Sequence, residues 1–472
     1  MPPTGGSGAD LVVIGGGVGG LAAALLSARR GASVVLVERD GDPVEGPPDA
    51  DFTSWRRPGV PQAQHSHAFL GLGTRVLGEE APDVIAALRS RGVPEVAASW
   101  RGRGRVDGAV NLLSRRLVFE AVLRRTVMAE PGVRMLVGER VTGLVASPGR
   151  RPVVRGVRTA QSGEIGASLV AVATGRRSQI TEWATELGVS ELPVTLHRLG
   201  LQYYTRFYRL HDGMEYPSLE RPQSARLSYL LAMAFPSDNR TFSLTVSCFV
   251  DDPFRRALAN PLVFERVLSA VPLTRPWVEA GAPISPLYAM ARIDNRWQRL
   301  VEDNHTPLLG GIVLVGDSSM HTNPTFGRGM SLAFEQAQRL ASTLGASSDP
   351  VGYTAEFERW IADHHREWFD VQVATDDRIV ARFRAALRGE EATDQAGPGG
   401  QLTLAMFAAA DTDDVVAEAT TRFFNMLARP SEIFSNSDLR ERLDRYAASH
   451  NLSVTDSEGP TRAEFEAMVA AI

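Results

Sequence analysis

Lysine is absent from the chain: all 50 basic residues among its 472 are arginine. That excludes a phosphate-loop lysine, a lysine Schiff base for pyridoxal phosphate and a lysine general acid or base. Arginine stays protonated near neutral pH, so proton transfer falls to His, Asp, Glu, Tyr or water. Cysteine is nearly absent as well. Cys248 stands alone, which excludes internal disulfides and cysteine-rich metal sites. It lies in the apolar run Phe242–Val250 and reads as a small buried hydrophobe. No block of one charge sign occurs. A net charge of −5 without a basic cluster argues against a nucleic-acid partner. Apolar runs approaching ~20 residues are missing too. The nearest, Leu11–Ala28, holds five glycines within 15–20, follows Asp10 and lacks a basic flank. A strand–turn–helix explains it better than a signal peptide or a membrane span. His65/His67 and His364/His365 lack the spacing of a metal pair on one helix face, and 363–367 reads as an exposed helix turn, so no metal is expected. These absences leave a soluble, cytoplasmic protein with no transmembrane segment.

What is present suits a sizeable core, with 44% hydrophobic residues. At roughly 150 residues per domain the length fits two or three units, or one large α/β enzyme with an inserted subdomain. Residues 1–9 read as a disordered Pro/Gly/Ser tail. Leu11–Ile14, a glycine run, the helical stretch Leu21–Arg30 and Ser33–Glu38 form a βαβ unit. Residues 41–66 are rich in Pro, Gly and Asp and read as a long, functional loop. Helical patterns follow at 71–92 and 115–129, and strands at Arg134–Val137, Val141–Ser147, Val153–Thr159 and Ser168–Ala173. From about 195 to 300 the texture changes. Leu201–Leu210 and Thr241–Val250 alternate with period two, like an antiparallel sheet, accompanied by a helix at 262–270. Gly311–Val315 returns to buried-strand texture before a helix at 328–344. Beyond 351 the chain reads helical, broken by a loop at 389–400.

Gly15, Gly17 and Gly20 fit G-x-G-x-x-G between a strand and a helix, and Glu38 ends the next strand, 23 residues after Gly15. Each position has a reason. Gly15 permits the tight turn, Gly17 lets backbone approach a pyrophosphate on the helix N-terminus, and Gly20 lets the helix pack on the sheet. A carboxylate at Glu38 suits two ribose hydroxyls and disfavours a 2′-phosphate, so the site fits FAD or NAD better than NADP. A second strand, 311–316, delivers Asp317 more than 270 residues later, beside a helix start carrying Pro324, Gly327, Gly329 and Met330. An acid for a polyol and amides for an anionic ring edge suit FAD, with its ribityl chain and flavin.

Together these motifs resemble the FAD-dependent monooxygenases of the p-hydroxybenzoate hydroxylase fold. The pattern is similar above all to bacterial flavin epoxidases of polyether biosynthesis and their actinobacterial relatives. The resemblance spans residues 10–345 and is carried by the 316–331 run, GDSSMHTNPTFGRGMS. It implies that Asp317 binds the ribityl chain and that the Pro324–Gly329 loop lies beside the flavin. It implies that Arg57, in the loop Arg57–His65, neutralises pyrophosphate, that Gln62, His65 and Phe326 sit near the flavin, and that Arg115 contacts FAD. Arg39, after Glu38, joins the cofactor set. The triplet 173–175 matches the family's strand end near the adenosine. The hydroxylases' DG motif is not evident, and no second nicotinamide domain exists. NAD(P)H is thus the expected reductant, directly or through a separate flavin reductase. Flavin halogenases share the first motif, but they rely on a lysine and a W-x-W-x-I-P segment, neither of which occurs here.

The expected fold class is α/β. A Rossmann-type FAD-binding domain (10–194, returning at 301–345) carries an inserted antiparallel-sheet substrate domain (195–300) and a helical C-terminal region (346–472). The expected activity is insertion of one oxygen atom from O₂ into a hydrophobic secondary-metabolite substrate, through a flavin C4a-hydroperoxide. Phenol hydroxylation needs a base and alkene epoxidation does not. No acid–base pair stands out in 195–300, so epoxidation is favoured over aromatic hydroxylation. An oxygen-independent reductase of polyprenyl-type substrates is the alternative. Alternation places Tyr204, Arg206 and Tyr208 on one face of the 201–210 strand and Leu201, Tyr203, Thr205 and Phe207 on the other. Tyr203, Tyr204 and Arg206 are the substrate-lining candidates. Trp360, Trp368, Phe423, Phe424 and Met426 read as core packing of the C-terminal helices.

Overall fold

The computed structural model describes residues 8–43, 45–220, 223–291, 293–390, 398–450, 452 and 456–471. Residues 1–7 of the expected tail and 391–397 of the expected loop lie outside the described residues.

A parallel sheet runs in the order Val133–Val137, Val34–Glu38, Ala9–Ile14, Glu164–Val172, Ile312–Leu314. Its strands read as continuous apolar runs because both faces are covered. Leu11, Val13, Leu36 and Val313 pack under the helices Val18–Arg29, Arg116–Ala129 and Gly329–Thr343. Val12, Ile14, Val35, Val170 and Leu314 face the opposite core, with Leu144, Val157 and Trp183. Glu164–Val172 is longer than its sequence pattern suggested. Its first part pairs antiparallel with Val153–Thr159, and its last part enters the parallel sheet. The 41–66 loop contains a short helix, Pro48–Ser54.

The middle sheet is antiparallel. It runs Ser224–Arg226, Leu230–Pro236, Thr241–Phe249, Leu201–Leu210, with Gly281–Pro283 and Tyr288–Ala291 both paired to the last of these. Tyr203 sits opposite Ser247, and Thr205 opposite Thr245. The Tyr204–Tyr208 face packs with Leu244 and Val246 under the helix Pro261–Ala270, through Phe264, Val267 and Leu268. The opposite face turns toward the parallel-sheet unit. Cys248 is buried in the Thr241–Phe249 strand, as its apolar setting predicted.

The helix Pro350–Arg388 spans 39 residues, capped by Asp349 and ended at Gly389. Tyr353, Phe357, Ile361, Trp368 and Phe369 join the core beneath the parallel sheet, while Ile379, Val380 and Phe383 reach the middle sheet. Trp368, Phe423 and Met426 are buried as expected. The expected exposed turn around 363–367 is corrected at His365. Its ring is fully buried, between Glu335 and Gln336. Among the described residues, no helix is long and apolar enough to cross a membrane.

Candidate active site

A cleft opens at the carboxyl ends of the parallel strands, where Ile14, Glu38, Ala173 and Val315 lead into loops. Such a crevice is the usual ligand site of an open α/β sheet. Gly15 has φ +102°, and an added Cβ would lie 2.6 Å from the Ala173 carbonyl oxygen. At Gly20 a Cβ would sit 1.9 Å from the Gly15 oxygen. The helix can approach the turn only without a side chain there. At Gly17 a Cβ would meet nothing within 4 Å, because this backbone borders the open cleft. Gly17 is also the N-cap of Val18–Arg29, with no side-chain cap on the first-turn amides. Those amides are placed for an anion.

Behind the glycine loop lies a buried ionic network. Glu38 accepts hydrogen bonds from the Gly16 N–H (2.6 Å) and the Asp40 N–H (2.7 Å). Arg57 stands 3.2 Å from Glu38, 3.2 Å from Asp40 and 2.9 Å from Glu120, and donates to the Gly16 carbonyl. Its charge is matched by three carboxylates. Its place in the cleft wall is therefore that of an anchor for Glu38, not the spare phosphate-neutralising charge expected of it. Glu120, fully buried, also holds Arg116 at 2.8 Å. Burial pushes the Glu120 carboxyl up, but Arg57 and Arg116 outweigh it and hold it below the ordinary value. Arg115 requires correction. Its guanidinium turns away from the cleft to Asp238 (2.6 Å) and Asp49 (2.8 Å) and lies over Phe52. The neighbouring Arg116 lines the cleft instead. Arg115 is the N-cap of its helix, so the helical phase of Arg116 and Glu120, four apart, was the signal available in the sequence.

From the far side, the turn Gly316–Ser318 presents Asp317, with Gln62 Nε2 at 3.4 Å from its carboxylate. Pro324, Gly327, Gly329 and Met330 also border the cleft, as do Arg39, Gln62 and His65. Phe326 does not. Its ring packs against Phe424 and beneath the Arg328 guanidinium, which corrects its placement beside the flavin.

The sheet-side wall was only partly legible. The face bearing Thr205 meets the cleft loop, with Thr205 Oγ1 3.1 Å from His65 Nδ1. Tyr204 and Arg206 point the other way. Tyr204 donates to the Arg255 carbonyl, and Arg206 pairs with Glu265 at 2.6 Å. Neither lines the cleft, so both substrate assignments are corrected. Tyr203 is on the correct face but is covered by Asn323 and Thr325, at 2.5 and 2.9 Å. The wall is formed by Phe235, Met290 and Ile293. The Leu230–Pro236 strand carrying Phe235 is buried on both faces and lacks the alternation that marks a strand.

Two imidazoles border this end. Burial, helped by Arg176, pushes His65 down to about 4. Burial and Arg116 push His67 down to about 3. His67 Nδ1 lies 2.8 Å from the His65 carbonyl and Nε2 lies 3.4 Å from Arg116. An arginine can only donate, so His67 is neutral with its proton on Nδ1.

The cleft fits FAD by its own features. Gly17 borders open space beside uncapped helix amides, and Thr322 Oγ1 is buried at the lining without a hydrogen-bond partner. Glu38 at one end and Asp317 at the other suit a ribose and a ribityl chain. Residues 10–176 match the family model described as FAD dependent oxidoreductase. That stretch is similar to the FAD-dependent oxidoreductases and holds the glycine motif and Glu38. A relative in Mycobacterium tuberculosis, Protein Rv3254, is 26% identical over 461 residues, covering 88% of this chain and 89% of its own. Among solved structures, the flavin-dependent brominase Bmp2 superposes with TM-score 0.60 at 13% identity, covering 94% of this chain and 100% of its own. PqsL of Pseudomonas aeruginosa, described as a probable FAD-dependent monooxygenase, gives 0.59 at 17% identity, covering 80% and 99%. OxyS anhydrotetracycline hydroxylase of Streptomyces rimosus gives 0.57 at 15%, covering 89% and 76%. At these identities the likeness establishes the fold. Mixed α/β architecture with a Rossmann-like cofactor sheet, an antiparallel sheet and C-terminal helices is common ground.

Proposed function

We propose that this protein is an FAD-dependent oxidoreductase, and within that class a monooxygenase that places one atom of O₂ into a hydrophobic, uncharged small molecule of secondary metabolism. The observation that carries the reading is the composition of the cleft's sheet end, where Phe235, Met290 and Ile293 meet neutral His65 beyond the flavin motifs. The shared fold of PqsL, described as a probable FAD-dependent monooxygenase, and of the OxyS hydroxylase supports it.

When bound and reduced, FAD supplies the electrons that activate O₂. The chain does the remaining work. Glu38 and the Val18–Arg29 amides hold the nucleotide end, and Asp317 with the Pro324–Met330 loop holds the flavin end. Phe235, Met290 and Ile293 exclude water from the reacting end, which protects the activated oxygen from loss. His65 orients through Thr205 and keeps a ring nitrogen for the bound molecule.

Alkene epoxidation fits this wall better than phenol hydroxylation. A phenol must lose a proton, and an imidazole with a pKa of about 4 is a weak base at neutral pH. NAD(P)H is the reductant in this reading, directly or through a separate reductase. The test is ¹⁸O₂ incorporation by reduced holoprotein across a panel of lipophilic alkenes and arenes. Labelled epoxides support the proposal. Holoprotein that labels no substrate, with a reduced flavin that survives in air, points to the oxygen-independent reductase instead.

A further inference from the structure

The long helix Pro350–Arg388 meets the cofactor loop at two places. At the first, the Gly316 N–H donates to Gln336 Oε1 at 2.6 Å, and Gln336 Nε2 donates to His365 Nδ1 at 3.2 Å. His365 Nε2 completes the chain on Glu335 at 2.8 Å.

The second contact is more extensive. Asp376 is fully buried and accepts from Asn323 Nδ2 (2.6 Å), Asn295 Nδ2 (2.8 Å) and Gln372 Nε2 (3.0 Å). Burial pushes the Asp376 carboxyl up, while the three amide hydrogen bonds act against that shift and favour the charged form. Ionised, it only accepts, so each amide must turn its NH₂ toward it. That leaves Asn323 Oδ1 as an acceptor, and it takes the Tyr203 O–H at 2.5 Å. The Asn323 backbone N–H donates to Asn295 Oδ1 at 2.6 Å. Gln372, with its NH₂ on Asp376, presents Oε1 to Arg328 Nη1 at 3.2 Å. Arg328 is 1% exposed, and its guanidinium lies 4.7 Å from Phe326, 5.1 Å from Trp368 and 5.6 Å from Phe423. Among the described ion pairs, Arg328 has none.

We propose that Asp376 and Arg328 form an ion pair relayed through Gln372, and that this relay is the positioning device for the cofactor loop 323–329. It rests on the flavin reading of the cleft. The loop has only one short 3₁₀ turn, Pro324–Phe326, and then Gly327 at φ +68°. Such a segment needs anchors from outside. The relay grips it at both ends, Asn323 and Arg328, while Pro324, Gly327 and Gly329 between and beside them border the cleft. The amides of Asn323, Asn295 and Gln372 each have one consistent direction, and in a low-dielectric interior the Gln372 dipole links the two charges. The C-terminal region thus completes the cofactor site from behind.

Purified full-length variants test this. Asp376→Asn removes the charge and, with its oxygen kept on Asn323 and Gln372, turns an NH₂ against the Asn295 NH₂. Arg328→Met removes the charge and keeps bulk among the rings. Glu358→Gln, buried on the same helix and outside the relay, controls for helix damage. FAD affinity is read by flavin fluorescence, and loop position by the visible bands and midpoint potential of bound flavin. Each relay variant should weaken FAD binding tenfold or more and shift the flavin bands or potential. The double variant should be no worse than the worse single. Glu358→Gln should match the parent in both readouts. A parent that takes up no FAD overturns the flavin reading and the relay with it. A parent that binds FAD, with relay variants equal to it, overturns the relay alone, as do additive single effects. If Asp376→Asn does not fold, Gln372→Met cuts the relay at its centre, and the same outcomes decide.

Discussion

Alanine at Gly17 and alanine at Gly20 should have opposite effects, although both fall in one six-residue motif. At Gly17 the backbone is extended, φ −78° and ψ 178°, and a new methyl enters open space. Folding of the apoprotein should be unchanged, or improved by up to ~1 kcal/mol as the unfolded chain loses freedom. The methyl occupies the space through which the pyrophosphate must reach the helix amides. Overpacking of this kind costs about 1–3 kcal/mol, so the FAD dissociation constant should rise about 5- to 150-fold. At Gly20 the methyl would sit 1.9 Å from the Gly15 oxygen, far inside an ordinary contact of about 3.5 Å. Backbone must move, and the apoprotein should lose ~1–3 kcal/mol or more, a fall in melting temperature of about 1–3 °C or more for a chain of this length. The assays are thermal melting of apoprotein and FAD titration by fluorescence. The reasoning fails if Gly17→Ala binds FAD like the parent, or if it destabilises the apoprotein as Gly20→Ala does.

The arginine pair separates fold from site. Arg115→Ala strands buried Asp238 and should cost about 3–5 kcal/mol in chemical denaturation, while the folded protein keeps its FAD affinity within a few-fold. Arg116→Ala should weaken FAD binding more than it weakens folding, and the reverse ranking would return Arg115 to the cleft. Glu120 has a folded pKa below its ordinary 4.5, so its stabilisation is present above pH 4.5 and fades as pH falls through the folded value. Glu120→Gln should flatten that acid limb in melts across pH, and an unchanged limb refutes the assignment. His65, lowered to about 4, binds fewer protons folded than unfolded. Its contribution is complete above pH 6.5 and falls by up to ~1.4 kcal/mol per unit below that, toward pH 4. His67, lowered to about 3, adds a slope of the same sign, so His65→Gln should lessen the slope without abolishing it, which a melt series between pH 4 and 7 measures.

Local rules carried much of the molecule. The glycine motif, Glu38 and Asp317 were legible because backbone geometry dictates their residue types at fixed spacing, as the clashes at Gly15 and Gly20 show. The 201–210 strand was legible to the residue, and its two faces divide as alternation requires. Which face meets the cofactor was not, because period two assigns sides without naming what covers them. Packing of the helix Pro261–Ala270 decided it, sending Tyr204 and Arg206 away from the cleft. Arg115 caps the helix in extended backbone and Arg116 opens it, and only the placement of Asp238 and Glu120 determined which guanidinium faces the cleft.

The sequence alone determined the chemistry at hand: no lysine, one buried thiol, and two glycine-bordered helix starts flanked by carboxylates. These follow from composition and from interactions within a few turns of chain. The tertiary structure alone decided the partners of the buried charges. Arg57 meets Glu120, 63 residues away, and Asn323 meets Asp376, 53 residues away. Charges at such separations are brought together by packing of apolar surfaces, which carries no periodic trace in the chain between them.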